Sequence, residues 1–508
     1  MEDVHGGEPW NDRKAIGSGE SVATSSSSGN TLSTIQHTSG SGSFPLPLFV
    51  VEQPPGSWRD DDETRQRRQH IKGLLEEFCG NSSAALRRWF SDLGIAWVLR
   101  VAAEDDAPAR LLLLEDQRTF AGRWIQALAD ITESILDTYH SCFSQSHLES
   151  LPEELEATII PDPAHFSRFI QETMLKMLSF VDAIAALNPN NTRCTDATLD
   201  SNGAPLEKLK TLLDVRGAVF MASFLIQPLL LHLSSSAQTE SCRTLLEDME
   251  ALRSDKDDIL AEAIWNTMQE VTAAILLLAD DGNHDSWDTP QGSSAGIHKV
   301  TRSIERYIRL LEINYRSVDQ IVRKAADCGT YAPKTCSTNP FTSMITEMVS
   351  CLEEKLAKMS ESFPNTSLGL LFLINNLHSL WQQLHPVYDT KFNMSVLTRK
   401  IEDYIDKYLQ EAWAPVLARL HSSSPSTLQF GRKHFPLSKF ESEFRKTHND
   451  QKLWKVPDPE LRKRLRKAIT DKVASGFTNF LEENTVSTRG STITPQEVED
   501  MLQELFEG

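Results

Sequence analysis

From about residue 64 to the C-terminus, apolar residues recur at steps of three and four. That spacing lines one face of an α-helix. Ile304, Ile308, Leu311, Tyr315, Val318 and Val322 predict one helix over 300–322, of about six turns. Leu245, Met249, Leu252, Ile259, Ala263, Met268, Val271 and Ile275 predict a longer one over 245–275. Ile345, Val349, Leu352, Leu356 and Met359 repeat the pattern, as do Leu397, Ile401, Tyr404, Tyr408, Val416 and Leu420, interrupted at Pro415. Strict alternation is rare, so strands are rare. The expected fold is all-α: an elongated rod of stacked antiparallel helical hairpins, or helical bundles in series.

Punctuation agrees with the periodicity. Asp458 stands before Pro459 as an N-cap before a proline at the first helical position. Thr494-Pro495-Gln496-Glu497 reads as a capping box opening a last helix with Val498, Met501, Leu502 and Leu505 on one face. The most apolar stretch, GAVFMASFLIQPLLLHL from Gly217, contains Gln227, Pro228 and His232. It predicts a buried helix that breaks at Pro228 rather than a membrane span. Polar stretches at 187–205, 280–297, 327–340 and 421–430 read as mobile loops.

Residues 1–63 are different material, rich in Ser, Gly and Thr. They bury too little apolar surface to offset ordering entropy and read as a disordered tail. Residues 64–508 are the helical part, with a basic bundle at about 431–508.

Composition narrows function. The 508 residues carry 51 Lys and Arg against 71 Asp and Glu, a net charge of −20. This argues against a nucleic-acid partner. Seven cysteines show no C-x-x-C spacing, which fits a reducing compartment better than a disulfide framework. The first residues lack an apolar signal core, so sequons at Asn81, Asn190, Asn365 and Asn393 read as chance matches. Gly292-Ser293-Ser294-Ala295-Gly296 has the letters of a nucleophile elbow but follows a polar loop, not a strand. No metal-ligand spacing, phosphate-binding loop or acid/base pair stands out, so no enzyme, cofactor or metal is expected.

One charge feature changes the picture. Residues 431–480 hold thirteen Lys and Arg and six Asp and Glu, inside an acidic chain. Leu461, Leu465, Ile469 and Val473 form an apolar stripe, and Arg462, Lys463, Arg466 and Lys467 are expected beside it on one outer face, with Arg464 further round. Arg432, Lys433, Arg445 and Lys446 precede them. Either these charges pair with nearby carboxylates on a solvated face, or they dock on anionic lipid headgroups, where each contributes roughly 1 kcal/mol.

The C-terminal words resemble a known family. FPLSKFESEFRKTHNDQKLWKVPDPELRKRLRKAITDKV, from Phe435, carries F-x-x-x-F at Phe440 and Phe444, then W-x-V-P-D-P-x-L-R from Trp454 to Arg462. LLFLINNLHSLWQQL carries an Asn-Asn helix at Asn375-Asn376, and EAWAPVLARL a W-x-x-V-L pattern at Trp413, Val416 and Leu417. IHKVTRSIERYIRLLEINY supplies His298, Thr301, Arg302, Tyr307, Arg309, Leu310 and Leu311. LRRWFSDLGIAWVLR at 86–100 and FVDAIAAL at 180–187 look like the plant branch. Together they resemble the seventy-kilodalton subunit family of the exocyst, the complex that tethers secretory vesicles to the plasma membrane, over about 85–508.

The resemblance implies a non-enzymatic rod in the cytoplasm, peripheral at the plasma membrane or vesicle membranes. Its partners would be other exocyst subunits, anionic phosphoinositide lipids and small GTPases. The lipid-binding residues it implies are Arg432, Lys433, Arg445, Lys446, Arg462, Lys463, Arg466 and Lys467. Two features depart from the family pattern. A Ser/Gly tail stands where many members have a longer helical region. ENTVSTRGSTIT, with Arg489 its only basic residue, stands where a basic-aromatic stretch is common. These favour an alternative: a diverged adaptor in plant immunity that binds pathogen effector proteins outside the complex.

Overall fold

The computed structural model describes residues 62–101, 117–143, 162–186, 204–237, 240–277, 296–334, 339–388, 394–421, 435–483 and 493–507. The expected tail but for its last two residues, which open the first helix, the G-x-S-x-G motif but for Gly296, Arg432, Lys433, Arg489 and most of the expected mobile loops lie outside them. The described residues are helical, with no strand among them and one isolated bridge, Lys455 to Glu507. Each helix packs mainly on neighbours close in chain order, so the core is built serially from hairpins.

The first part combines α1 (Asp62–Gly80), α2 (Ser82–Asp92), α3 (Trp97–Val101), α4 (Gln117–Phe143) and α5 (Pro163–Ala185). Asn81 turns the chain between α1 and α2: its backbone is extended and its Oδ1 accepts the Ala84 N–H. Asp162 caps α5 in the same way, with Pro163 in the first turn. Aromatic rings fill the interior. Trp89 stacks on Phe169 at 5.4 Å and Trp97 meets Phe180 edge-on at 4.9 Å. The Trp124 indole N–H donates to the Met177 carbonyl, so the buried ring leaves no polar atom unpaired.

Next come α6 (Ala204–Ala237) and α7 (Glu240–Leu277), a long hairpin packed on α4 and α5. The expected break at Pro228 does not occur: α6 runs through it. Pro228 stands on the exposed face, one turn after exposed Phe224. The carbonyl freed by the missing N–H therefore faces solvent rather than a dry core. The expected burial is also corrected, because α6 leaves Phe220, Met221, Phe224, Leu225 and Leu231 exposed. It is long and apolar enough to cross a membrane by length and composition, but its other face is core. On α7 the deepest positions include Leu260 and Ile264, while Ile259 and Ala263 are half-buried. The stripe is wider than the sequence suggested because α7 packs on several helices.

One ion pair staples this hairpin and a second ties it to α5. Arg216 donates to both carboxylate oxygens of Asp257 at 2.8 and 2.9 Å and to the Ser317 carbonyl at 3.1 Å. Lys256 reaches both oxygens of Asp182 at 2.8 and 2.9 Å.

The single helix expected over 300–322 is two, α8 (Lys299–Ile313) and α9 (Tyr315–Asp327). Asn314 separates them with a non-helical backbone, and its side-chain amide donates back to the Leu310 carbonyl. That local bond competes with helix continuation. The apolar stripe nevertheless keeps its phase across the break, and Ile304, Ile308, Leu311, Val318 and Val322 are all buried.

α10 (Pro340–Ser360) and α11 (Thr366–Tyr388) follow. Asn339 caps α10, and Asn365 accepts the Ser367 N–H at the start of α11. Two of the four sequon asparagines, Asn81 and Asn365, thus stand at helix starts. Gly369 of α11 is needed for close approach: a Cβ there would lie 2.5 Å from the Ser360 carbonyl oxygen. α12 (Met394–Ala412) turns at Trp413 into α13 (Ala414–His421), which explains the interruption seen at Pro415.

Candidate functional site: the C-terminal basic helices

α14 (Phe435–Lys452), α15 (Pro459–Glu483) and α16 (Pro495–Gln503) carry the basic block. Both expected caps form. Asp458 Oδ1 accepts the Leu461 N–H at 2.6 Å. Thr494 and Glu497 make the reciprocal capping box. Leu461, Leu465, Ile469, Val473 and Phe477 bury one face of α15. Phe440 of α14 stacks on Phe477 at 4.7 Å.

The cations of α15 do not share one outer face as expected. Arg462 and Arg466 flank the apolar stripe, and their side chains are only 25% and 16% exposed. The Arg462 guanidinium donates to the Val456 carbonyl at 3.0 and 3.2 Å. Arg466 donates to the Leu505 carbonyl, at 2.9 Å from Nε, and pairs with Glu507. Arg462 also lies 3.5 Å from Glu507. Arg464, further round, pairs with Glu402 of α12. The correction has a plain cause. A long side chain beside a buried stripe reaches the edge of the neighbouring element and finds carbonyls and carboxylates that need donors.

Lys463 and Lys467 remain. They are one turn apart on the face opposite the stripe, both exposed, and neither makes an ion pair among the described residues. On α14, Lys446 is exposed with no such partner, while exposed Arg445 pairs with Glu441 one turn before it at 3.0 Å. Of the eight expected residues, three lysines therefore present free charge, Arg445 presents shared charge, and two arginines are used inside the fold.

What the sequence reasoning missed is the receiver of those arginines. Residues 505–507 fold back against α15: Leu505 and Phe506 are fully buried, and Phe506 has φ 64. A non-glycine residue in that left-handed region is strained by about 1–3 kcal/mol, and the surrounding bonds hold it. The Phe506 N–H meets the Gln451 carbonyl, Tyr408 donates to the Gln451 side chain, and Lys452 pairs with Glu504 at 2.6 Å. The Glu507 carboxyl is held below its usual range by Arg466, and that of Glu504 by Lys452. The only signal in the sequence was the acidic ending after a basic block.

The other family-like words also turn out to be fasteners. Asn376 Oδ1 accepts the His298 N–H at 2.8 Å and the Thr301 hydroxyl at 2.7 Å, while its amide donates to the Gly296 and Phe372 carbonyls. Asn375 donates to the Lys455 carbonyl at 3.1 Å. Gln382 donates to Asp458 at 2.7 Å. Tyr307, fully buried, donates to the Met268 carbonyl. The Asn-Asn helix thus ties α8 on one side to the Pro-Asp-Pro turn on the other.

The family model for the C-terminal part of the Exo70 protein of the exocyst complex matches residues 123–504. The chain belongs to that family. The match spans every family-like word above except the one at 86–100. Similar proteins include two from Arabidopsis thaliana. Exocyst complex component EXO70E2 is 26% identical over 226 residues, covering 42% of this chain and 35% of the relative. Exocyst complex component EXO70B2 is 25% identical over 281 residues, covering 52% and 44%. The chain thus spans less than half the length of these relatives. The crystal structure of the S. cerevisiae exocyst component Exo70p aligns at 13% identity with a TM-score of 0.40, over 88% of this chain and 99% of that one.

Proposed function

We propose that this Exo70-family chain is a non-enzymatic component of an exocyst-type tethering assembly. In this reading it works in the cytoplasm and docks peripherally on phosphoinositide-containing plasma or vesicle membrane. The observation that carries the lipid part is the pair Lys463 and Lys467, exposed on one face of α15 without an ion-pair partner among the described residues, with Lys446 on α14. Three lysines near an anionic surface contribute roughly 3 kcal/mol in total, enough for reversible attachment. Arg445, Arg432 and Lys433 would add to it, whereas Arg462 and Arg466 hold the chain terminus. Other exocyst subunits, and small GTPases with them, are the partners this reading expects.

The test is twofold. Purified protein is sedimented with phosphatidylcholine vesicles with and without phosphatidylinositol bisphosphate, across a salt series. Tagged protein is then used to capture partners from plant tissue. Salt-sensitive sedimentation only with phosphoinositide, plus recovered exocyst subunits, supports the reading. A second reading, an immune adaptor outside the complex that binds effector proteins, draws on the exposed apolar face of α6 at Phe220, Phe224 and Leu231. Capture of other partners without exocyst subunits, and no vesicle binding, would favour it.

A further inference from the structure

Between α7, α8, α10 and the turn at 328–334 lies a cavity of about 260 Å3. This half-open pocket is close to the lower end of the roughly 300–1,000 Å3 usual for ligand sites. Its walls are soft and aromatic. The Trp265 and Tyr331 rings meet at 5.8 Å with a 54° tilt, and Met344 and Met348 also line the cavity.

One carboxylate stands in this wall. Glu347 Oε1 accepts three hydrogen bonds: from the Tyr331 hydroxyl at 3.0 Å, the Lys334 backbone N–H at 3.1 Å and the Ser343 hydroxyl at 3.0 Å. Its other oxygen, Oε2, accepts none among the described residues, and no ion pair compensates its charge there. Lys334 also lines the cavity, but it gives only its backbone N–H to this network, and its side chain is exposed. All three donors are neutral, so the cavity keeps a negative charge beside aromatic faces. An anion would be repelled. A neutral ligand without a donor would leave Oε2 desolvated and unpaired. A cation gains a charge-assisted hydrogen bond and the ring quadrupoles together.

We propose that this cavity binds a small organic cation, an aryl- or alkylamine whose ammonium donates to Glu347 Oε2 while its apolar body lies against Trp265, Tyr331, Met344 and Met348. This site is separate from the membrane-docking reading, and neither depends on the other.

Cys351, a half-exposed free thiol lining the same cavity, reports occupancy. The full chain is treated with N-ethylmaleimide in the presence of 2-phenylethylamine, 2-phenylethanol or phenylacetate, and modification is followed by peptide mass spectrometry. Exposed Cys79, in α1 and outside the cavity's lining, serves as the control. The amine should slow Cys351 alkylation about fivefold once it stands at about four times its Kd, leave the control unchanged, and exceed the alcohol and the acid in effect. Glu347→Gln keeps an acceptor for the three donors and should lose the protection. Met348→Trp, which fills the cavity, should lose it too. No protection by the amine, equal protection by amine and alcohol, or undiminished protection in Glu347→Gln would overturn the proposal.

Discussion

The α6–α7 hairpin and the C-terminal helices α14–α16 use charge in opposite ways. In the hairpin, Arg216 and Lys256 are almost fully buried and bound to Asp257 and Asp182. Its outward face is apolar, at Phe220, Phe224 and Leu231. In the C-terminal helices the core is apolar, and cations crowd the outside of α15. Yet even there the positions split. Arg462 and Arg466 border the stripe and are consumed by carbonyls, while Lys463 and Lys467 stand opposite it and have no ion-pair partner among the described residues. The lesson is that a count of basic residues does not measure available positive potential. Distance from the buried stripe does.

The largest expected effect is in the hairpin. Asp257→Ala leaves the Arg216 guanidinium, 10% exposed, without its carboxylate. Asp257 itself is 36% exposed, so the cost lies at the low end of the range for breaking a buried pair, about 3 kcal/mol, and urea unfolding should show a fall in midpoint. A change under 1 kcal/mol would mean that the pair is a bystander. Next is Arg466→Ala, which removes charge-assisted donors from the Leu505 carbonyl and Glu507. Bonds of this kind are worth about 1.5–3 kcal/mol. The loss should be local: hydrogen exchange should accelerate at Leu502–Phe506 and in the last turn of α14 while α6–α7 keeps its protection. Uniform acceleration would contradict the latch.

These contrasts show what was legible in the sequence. Asp458 and Thr494 announced their caps because a cap depends on three or four adjacent residues. The stripes of α8, α10 and α15 were legible because burial follows spacing. The break at Asn314 was not, since the apolar phase runs straight through it. The continuity at Pro228 depends on which side of α6 faces water, a tertiary fact. The arginine latch joins positions about forty residues apart, and no local pattern encodes such a meeting. The basic helix was therefore legible, but not which of its cations the fold uses: Arg462 and Arg466 hold backbone carbonyls, while Lys463 and Lys467 face outward.

A smaller, signed effect lies at the two ends of α8. Burial pushes His298 down to about 4, while its unfolded form takes a proton near 6.5. Its contribution to stability is therefore full above about 6.5 and lost as pH falls toward 4. Burial pushes Glu312 up to about 7 from 4.5, and its Oε1 is buried without a partner among the described residues. The folded state holds that proton longer, so its contribution is full below about 4.5 and lost as pH rises toward 7. Glu312→Gln should accordingly raise the Tm more at pH 8 than at pH 5. His298→Asn, whose side-chain oxygen can replace His298 Nδ1 as acceptor of the Val300 N–H, should flatten the acid limb. A Glu312→Gln gain that is the same at both pH values would show that the carboxyl does not titrate in this range.

The smallest effect on stability should come from the exposed lysines, since exposed substitutions away from any contact stay within about 0.5 kcal/mol. That makes them the cleanest probe of function. The decisive measurement is phosphoinositide-vesicle sedimentation of Lys446→Glu/Lys463→Glu/Lys467→Glu beside Arg466→Gln, at temperatures where both are folded. The account predicts that the lysine variant melts like the parent and loses at least tenfold in vesicle affinity, while Arg466→Gln melts earlier and binds nearly as well. Parent-like sedimentation of the lysine variant, or a greater binding loss from Arg466→Gln, would contradict it.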